Sequence, residues 1–391
     1  MTVRYIDQMD LKNKTVVCRV DYNVPYDKNM NITDDTRIKA TIKTIKYCID
    51  NEAKIILISH LGRPKGKKVP EMTLAPVAER LSSLINKKVL FIKDEIGKDT
   101  KDIINNLKPG DIVLLENIRF YPEEEKNDEA FGKKLAELGD IYVNDAFGTA
   151  HRGHASNESI TRHIKECCAG FLMKDEIEYF KKITANPERP LLAVIGGAKV
   201  SSKLEVLQNL IKNVDHLIIG GGMVFTFLKA KGFNTGNSLL EKDLINTAND
   251  ILNQSGNKIL LPEDIVVAEK FENDSPSKIV EADKIPDGTM GLDIGPKSIE
   301  KFSSLIQTMK TVVWNGPMGA FEMSSFADGT NKIAKAIAES GSLSVIGGGD
   351  SVTAINNSGL ADKMSYISTG GGAFLEMLEG KTLPAIAALD K

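Results

Sequence analysis

The sequence contains no arginine after residue 189. Arg4, Arg19, Arg37, Arg63, Arg80, Arg119, Arg152, Arg162 and Arg189 all precede that point, and the remaining 202 residues use lysine in its place. Cysteine is also scarce. Cys18, Cys48, Cys167 and Cys168 form no C-x-x-C pair, and adjacent cysteines rarely bridge, so reduced thiols in a reducing compartment are expected rather than a disulfide framework. Met1 to Asp10 lack the apolar stretch of a secretory signal, and no apolar run is long enough to span a bilayer. A net charge of -3 leaves no broad basic surface for nucleic acid. The expectation is a cytoplasmic protein with neither a membrane nor a nucleic-acid partner.

What is present divides the same way. At 391 residues the chain is too long for one ordinary core, and two domains are expected. Glycine clusters at Gly196-Gly197, Gly220-Gly222, Gly347-Gly349 and Gly370-Gly372, all in the arginine-free half. Arginine grips carboxylate and phosphate in a bidentate way. Glycine turns opening onto helices cradle phosphates with backbone N–H groups. Two anion-binding chemistries, one per half, point to two anionic substrates.

Apolar, β-rich runs recur at Thr15–Val20, Lys54–Ser59, Val89–Ile92, Asp111–Leu115 and Ile141–Val143, then at Leu191–Ile195, His216–Ile219, Lys258–Leu261, Thr311–Trp314, Leu343–Ile346 and Ser365–Ser368. Most are continuously apolar, as strands buried on both faces are in parallel sheets. Amphipathic stretches such as Leu74–Ile85 and Ser202–Ile211 supply crossover helices. The fold class is α/β, with two doubly wound, Rossmann-like parallel-sheet domains joined by a helix and a cleft between them. The expected boundaries are residues 1–173, a connecting helix and hinge at 174–190, residues 191–380, and a terminal segment at 381–391 docking on the first domain. The connecting helix reads as Asp175–Ile183, broken by Asn186-Pro187-Glu188-Arg189-Pro190.

In open α/β sheets ligands sit beyond the carboxyl ends of the strands. In the first half those ends carry Arg19-Val20-Asp21-Tyr22-Asn23, Ser59-His60-Leu61-Gly62-Arg63-Pro64, Glu116-Asn117-Ile118-Arg119-Phe120 and Asn144-Asp145-Ala146-Phe147-Gly148-Thr149-Ala150-His151-Arg152. His60, Arg63, Arg119 and Arg152 thus converge on one rim suited to a small, multiply charged anion. A single arginine is by default a surface salt bridge, but four at successive strand ends form a set. Arg37, after Asp34-Asp35-Thr36, is the weaker case on spacing, since the acids there suit a helix cap. His60 reads equally as a base or as an anion anchor, with no nucleophile beside it.

In the second half, Ile195-Gly196-Gly197-Ala198-Lys199 and the following Lys203 read as strand, turn and helix start, with both lysines on one helix face. Two cations there would repel each other and the dipole, unless a polyphosphate is bound. The Walker A spacing and the G-x-G-x-x-G fingerprint are both absent; Phe225 stands where the latter needs its last glycine. Asp350 in Gly347-Gly348-Gly349-Asp350-Ser351 suits either Mg²⁺ or a helix cap. Thr369-Gly370-Gly371-Gly372 offers free N–H groups. Trp314 to Glu322 offers an apolar wall and a carboxylate, whose commoner state is an exposed acid.

Taken together, these segments resemble the phosphoglycerate kinase family over essentially the whole chain. Arg19-Val20-Asp21-Tyr22-Asn23-Val24-Pro25, the segments at Ser59, Glu116 and Phe147, Gly196-Gly197-Ala198-Lys199, Trp314-Asn315-Gly316-Pro317, Gly347-Gly348-Gly349-Asp350 and Ser368-Thr369-Gly370-Gly371-Gly372 occur in the family's order. Tyr22 and Gly153 depart from its usual residues. The resemblance implies reversible transfer between 1,3-bisphosphoglycerate and MgADP, giving 3-phosphoglycerate and MgATP, by a monomer. It implies that Asp21, Asn23, Arg37, His60, Arg63, Arg119 and Arg152 hold phosphoglycerate. It assigns the nucleotide to Lys203, Gly291, Glu322, Gly348, Gly349, Asp350 and Ser351, and Mg²⁺ to Asp350. Arg37, Lys199, Gly371 and Gly372 would steady the phosphoryl group in flight. An NAD-dependent dehydrogenase with two such domains is the alternative, opposed by the missing fingerprint. A two-lobed solute-binding protein would need an export signal.

Overall fold

A computed structural model describes residues 3–93 and 96–390. The first sheet comprises β1 (Thr15–Val20), β2 (Lys54–Ile58), β3 (Val89–Ile92), β4 (Ile112–Leu115), β5 (Ile141–Asp145) and β6 (Glu166–Ala169). They lie in the order β3-β4-β2-β1-β5-β6, and every pairing is parallel. The chain winds outward from β1 on one side and returns through β5 on the other. The strand ends after β4, β2, β1 and β5, which carry the candidate rim, are therefore neighbours. Val16, Val17, Cys18, Ile55, Ile56, Leu57 and Val143 are all fully buried, which is why these strands read as unbroken apolar runs.

The second half repeats the plan. It contains β7 (Leu191–Ile195), β8 (His216–Ile219), β9 (Ile259–Leu260), β10 (Asp264–Ala268), β11 (Ser277–Glu281), β12 (Met290–Ile294), β13 (Thr311–Asn315), β14 (Leu343–Gly347) and β15 (Tyr366–Ile367). Six of them form a parallel sheet in the order β15-β14-β13-β7-β8-β9. The other three form an antiparallel sheet, β11-β10-β12, absent from the sequence reading. β6 is also an addition. Its Glu-Cys-Cys-Ala is too short and too mixed to stand out.

The chain divides into two compact units, Met1–Glu178 with Thr382–Lys391, and Tyr179–Lys381. The division falls inside the helix Phe171–Thr184, which starts one turn earlier than Asp175. Its first N–H groups find partners in the first unit: Phe171 donates to Thr44 Oγ1 (2.9 Å) and Met173 to Asp145 Oδ1 (3.2 Å). Those bonds satisfy orphan donors and fix the start. The terminal segment packs within the first unit, with Ala385 N–H donating to Ala150 O (3.1 Å) and Leu383 and Leu389 buried. No helix among the described residues is long and apolar enough to cross a membrane.

Candidate active site

In the first unit the rim is a layered array of charge. Asp21 lies directly after β1, 8% exposed, and accepts from Arg37 Nη1. Gly148 packs against that carboxylate, where any Cβ would collide. Asn23 Oδ1 accepts from Gly62 N–H (2.9 Å) and so ties the β1 end to the β2 end. Arg119 follows β4 and is only 4% exposed. Its Nη1 donates to Gly62 O (2.7 Å), its Nε stands 3.4 Å from Glu125 Oε1, and its Nη2 has no partner. Burial, then repulsion from Arg19, lowers its pKa to about 10. Arg63 is exposed and Arg152 half-buried, and neither makes an ion pair among the described residues. Arg152 is close enough to depress Arg119, His151 and His154 electrostatically.

His60, after β2, is 4% exposed, and its Nδ1 is 3.2 Å from Arg19 Nη2. Burial, and then Arg19, Arg119, Arg37 and His154, push its pKa well below the ordinary value. A ring with so low a pKa is a weak base, and its neutral form can still donate one N–H as a hydrogen-bonding anchor. Of the two readings left open by spacing, the anchor fits.

The structure adds residues the site assignment omitted. Arg19 is completely buried inside β1. His154 is buried with an unpartnered Nδ1, and its pKa falls to about 3 through burial and the adjacent arginines. His151 also has an unpartnered Nδ1. Glu124, with no exposed surface, is the carboxylate beneath them. Arg19 had a legible signal: an arginine within a buried apolar strand must find its partners inside the protein. Glu124 and His154 had none, since their roles come from the wide π-helical turn Ala155–Ser159 folding onto β1.

In the second unit the rim is mostly backbone. The helix Gly349–Ser358 opens directly after β14, and Gly371–Leu378 after β15. A Cβ on Gly371 would lie 3.4 Å from Gly348 Cα and Gly349 N, so the two helix N-termini are side by side. Unpaired N–H groups and positive dipole ends converge there. Gly372 and Gly349 are exposed. Gly348, at φ +95°, adopts a conformation side chains rarely take. Asp350 is exposed in the first turn rather than capping; the cap position is Gly348. Mg²⁺ binds through one or two carboxylates together with substrate phosphates and water. A lone, accessible Asp350 beside phosphate-directed N–H groups fits a Mg²⁺ that arrives on the nucleotide.

One expectation is corrected. Lys199 and Lys203 do not share a helix face, because the helix begins at Leu204; Lys199 is on the exposed loop and Lys203 is the N-cap residue. The extra turn of loop comes from Gly197 at φ +124°. Lys203 is 9% exposed, and its Nζ donates to Asn315 O (3.1 Å) and Asn315 Oδ1. Burial lowers its pKa to about 8, against the opposing pull of Asp350. Ser351 is buried, and its hydroxyl accepts from Gly316 N–H (2.6 Å). Of the stretch Trp314 to Glu322, Pro317, Met318, Gly319, Ala320 and Glu322 line a neighbouring cavity, whereas Trp314 lies behind them. It is fully buried, and its indole N–H donates to Gly316 O (2.7 Å).

Beside these turns lies a cavity of about 470 Å³, lined among others by Phe225, Leu239, Gly291, Met318, Glu322 and Asp350. Its walls are mainly apolar, with Glu322 exposed among them, as a flat aromatic ring with a polar rim would require. Gly291 is needed because a Cβ would run into the Phe225 ring.

A family model described as phosphoglycerate kinase matches residues 6–381. The chain is 52% identical over 396 residues to the cytosolic phosphoglycerate kinase 3 of Arabidopsis thaliana, covering 100% of this chain and 98% of that one. It is 53% identical over 394 residues to the phosphoglycerate kinase of Geotalea uraniireducens, covering 100% and 99%. The solved structure of phosphoglycerate kinase from Coxiella burnetii superposes with a TM-score of 0.93 at 41% identity, over 99% of both chains.

Proposed function

The chain belongs to the phosphoglycerate kinase family, and we propose how its residues divide the work of that reaction. It is a glycolytic phosphotransferase with a carboxyl group as acceptor, moving a phosphoryl group between 1,3-bisphosphoglycerate and ADP to give 3-phosphoglycerate and ATP. We assign the phosphoglycerate to Asp21, Asn23, Arg37, His60, Arg63, Arg119 and Arg152. The observation that carries this is Arg119, a buried guanidinium with an unpartnered Nη2 on a rim of like charge. Such a group is costly unless an anion completes it.

The nucleotide is assigned to the second unit. The cavity containing Gly291 and Glu322 takes the base and sugar, and the turn Gly348–Ser351 with Lys203 takes the phosphates. Mg²⁺, held by Asp350 and the nucleotide, would supply further neutralisation of phosphate charge. The attacking group is a carboxylate, ionised at neutral pH, so no general base is required. That agrees with a His60 kept neutral and holding an N–H. Transfer needs charge neutralisation and in-line positioning. We assign that role to Lys199, Arg37 and the N–H groups of Gly371 and Gly372.

Because the substrates are assigned to different units, transfer requires hinge closure, which also excludes water from the acyl phosphate. Solution scattering tests this; equal radii of gyration for the free protein and the ternary complex would reject it. We further propose a cytoplasmic monomer, in keeping with four free, buried cysteines. A sedimentation mass well above 42.7 kDa would count against the monomer. The decisive assay for the function is ADP formation from ATP and 3-phosphoglycerate; no turnover with both substrates and Mg²⁺ would overturn it.

A further inference from the structure

Arg19 is the largest charged side chain sunk wholly beneath the first rim. With no exposed surface it cannot itself meet a ligand, so its function lies in what it holds. Its Nη2 is 3.2 Å from His60 Nδ1. A guanidinium carries donors only, so Nδ1 must be the acceptor, and in the neutral ring the proton then sits on Nε2. The other group near Nδ1 is Asp21 Oδ1, at 3.7 Å, beyond hydrogen-bond reach; the second Asp21 oxygen is taken by Arg37.

Arg19 is in turn fixed from behind. Its Nη1 donates to Val20 O and its Nε to Ser156 Oγ (2.9 Å). The Ser156 hydroxyl donates to Glu124 Oε1 (2.6 Å), and its backbone N–H to Glu124 Oε2 (2.9 Å). Tyr142 OH donates to Ser156 O (2.6 Å), so the serine is held on three sides. Glu124 and Ser156 are as fully buried as Arg19. The hydroxyl accepts from the cation and donates to the anion, which lets a buried charge pair act through one side chain without touching.

We propose that Glu124, Ser156 and Arg19 form a buried relay that fixes His60 as its Nε2–H tautomer, so that the ring presents an N–H, not a lone pair, to the anionic substrate. They are positioning residues, set behind the contact residue. A ring free to change tautomer would offer phosphate or carboxylate a bare nitrogen part of the time, and bind it less well. The proposal rests on the assignment of His60 to the phosphoglycerate site, and its test separates the two.

The full chain labelled with ¹⁵N-histidine gives the tautomer by long-range ¹H–¹⁵N correlation, with His60 identified by the signal lost in His60→Gln. The Nε2–H pattern is expected, unchanged between about pH 6 and 8. An Nδ1–H pattern in the parent protein overturns the relay, and needs no variant to fold. Ser156→Ala should mix the tautomers and raise KM for 3-phosphoglycerate about tenfold, leaving KM for ATP unchanged. A purely structural serine would not move the tautomer, so an unchanged His60 spectrum in a folded Ser156→Ala protein also overturns the relay. If instead His60→Gln leaves KM for 3-phosphoglycerate unchanged, the assignment of His60 to the substrate fails, whatever its tautomer.

Discussion

The two rims to which we assign the anionic substrates sit at the ends of parallel sheets but are built from different parts of the polypeptide. In the first unit several of the assigned groups are side chains sunk into the protein: Arg119 and the neutral His60 are about 4% exposed, and Arg19 and Glu124 have no exposed surface. In the second unit the groups that converge are backbone N–H donors at two adjacent helix starts, with Lys203 half-captured by Asn315 and Lys199 free on a loop. Buried side-chain charge is expensive and requires a supporting network. Backbone donors carry no such cost, but they require glycines, because the chain must take φ values near +95° and let phosphate approach closely. A small, rigid carboxylic acid phosphate suits the pre-set array, and a flexible polyphosphate suits the open backbone.

The largest expected effect tests whether the second unit has a side chain reserved for the transition state. Lys199 is exposed on its loop, and its side chain makes no hydrogen bond or ion pair among the described residues. Lys199→Ala should lower kcat by about a hundredfold to a thousandfold, the scale for losing one stabilising donor, while ADP affinity barely changes. A near-normal kcat would remove Lys199 from the mechanism and leave the second rim a passive cradle.

Next comes the first rim. Arg119→Ala removes a buried guanidinium whose Nη2 has no hydrogen-bond partner among the described residues. Affinity for 3-phosphoglycerate should fall by about 1.5–3 kcal/mol, the usual worth of a hydrogen bond to a charged group. Calorimetry should find ADP binding intact. Equal losses for both ligands would erase the division between side-chain and backbone sites. Arg63→Ala, at an exposed arginine, should show the same selectivity.

The smaller contrast concerns glycine. Gly349 has an ordinary φ, and an added Cβ would meet nothing within 4 Å. Gly349→Ala should therefore leave the melting temperature unchanged or slightly higher, since alanine is the better helix former by about 1 kcal/mol. The methyl would still occupy space where phosphate approaches the N–H groups. ADP affinity should drop about tenfold, with 3-phosphoglycerate unaffected. Normal ADP affinity would mean that the phosphates do not come this close to the backbone.

The same contrast explains what the sequence made legible. Buried parallel strands have to be apolar on both faces, so β1, β2, β7 and β13 stand out as runs, and their polar ends mark the rims. β11 escaped because its Ser-Lys-Ile-Val-Glu is largely exposed on a three-stranded antiparallel sheet, where alternation is weak. The helix expected over Ser202–Ile211 starts only at Leu204, because Ser201 spends its hydroxyl on Glu241 and the loop continues to Lys203. The candidate residues at strand ends were visible because topology alone brings those ends together. Glu124 and Ser156 were not, because no spacing rule connects a loop acid to a serine 32 residues later.

The last prediction uses Lys203, the one buried cation of the second rim assigned to a ligand, to compare the rims by pH. Burial lowers its pKa from 10.5 to about 8, with Asp350 only partly restoring it. In the free protein it therefore loses its charge as pH rises through 8, and KM for ADP should rise toward tenfold per pH unit beyond that point. The sign for stability is opposite. Between pH 8 and 10.5 the unfolded chain binds the proton that the folded chain has released, so this group's contribution to stability grows as pH increases across that window. Weaker nucleotide binding together with an unchanged or rising contribution to stability cannot be a symptom of unfolding. Lys203→Arg should flatten the profile, since a guanidinium stays charged. Affinity for 3-phosphoglycerate should stay nearly level from about pH 7 to 9, above the range where His60 changes charge and below the pKa of about 10 of Arg119. An ADP profile equally level over that range would show that Lys203 keeps its proton or lies away from the phosphates.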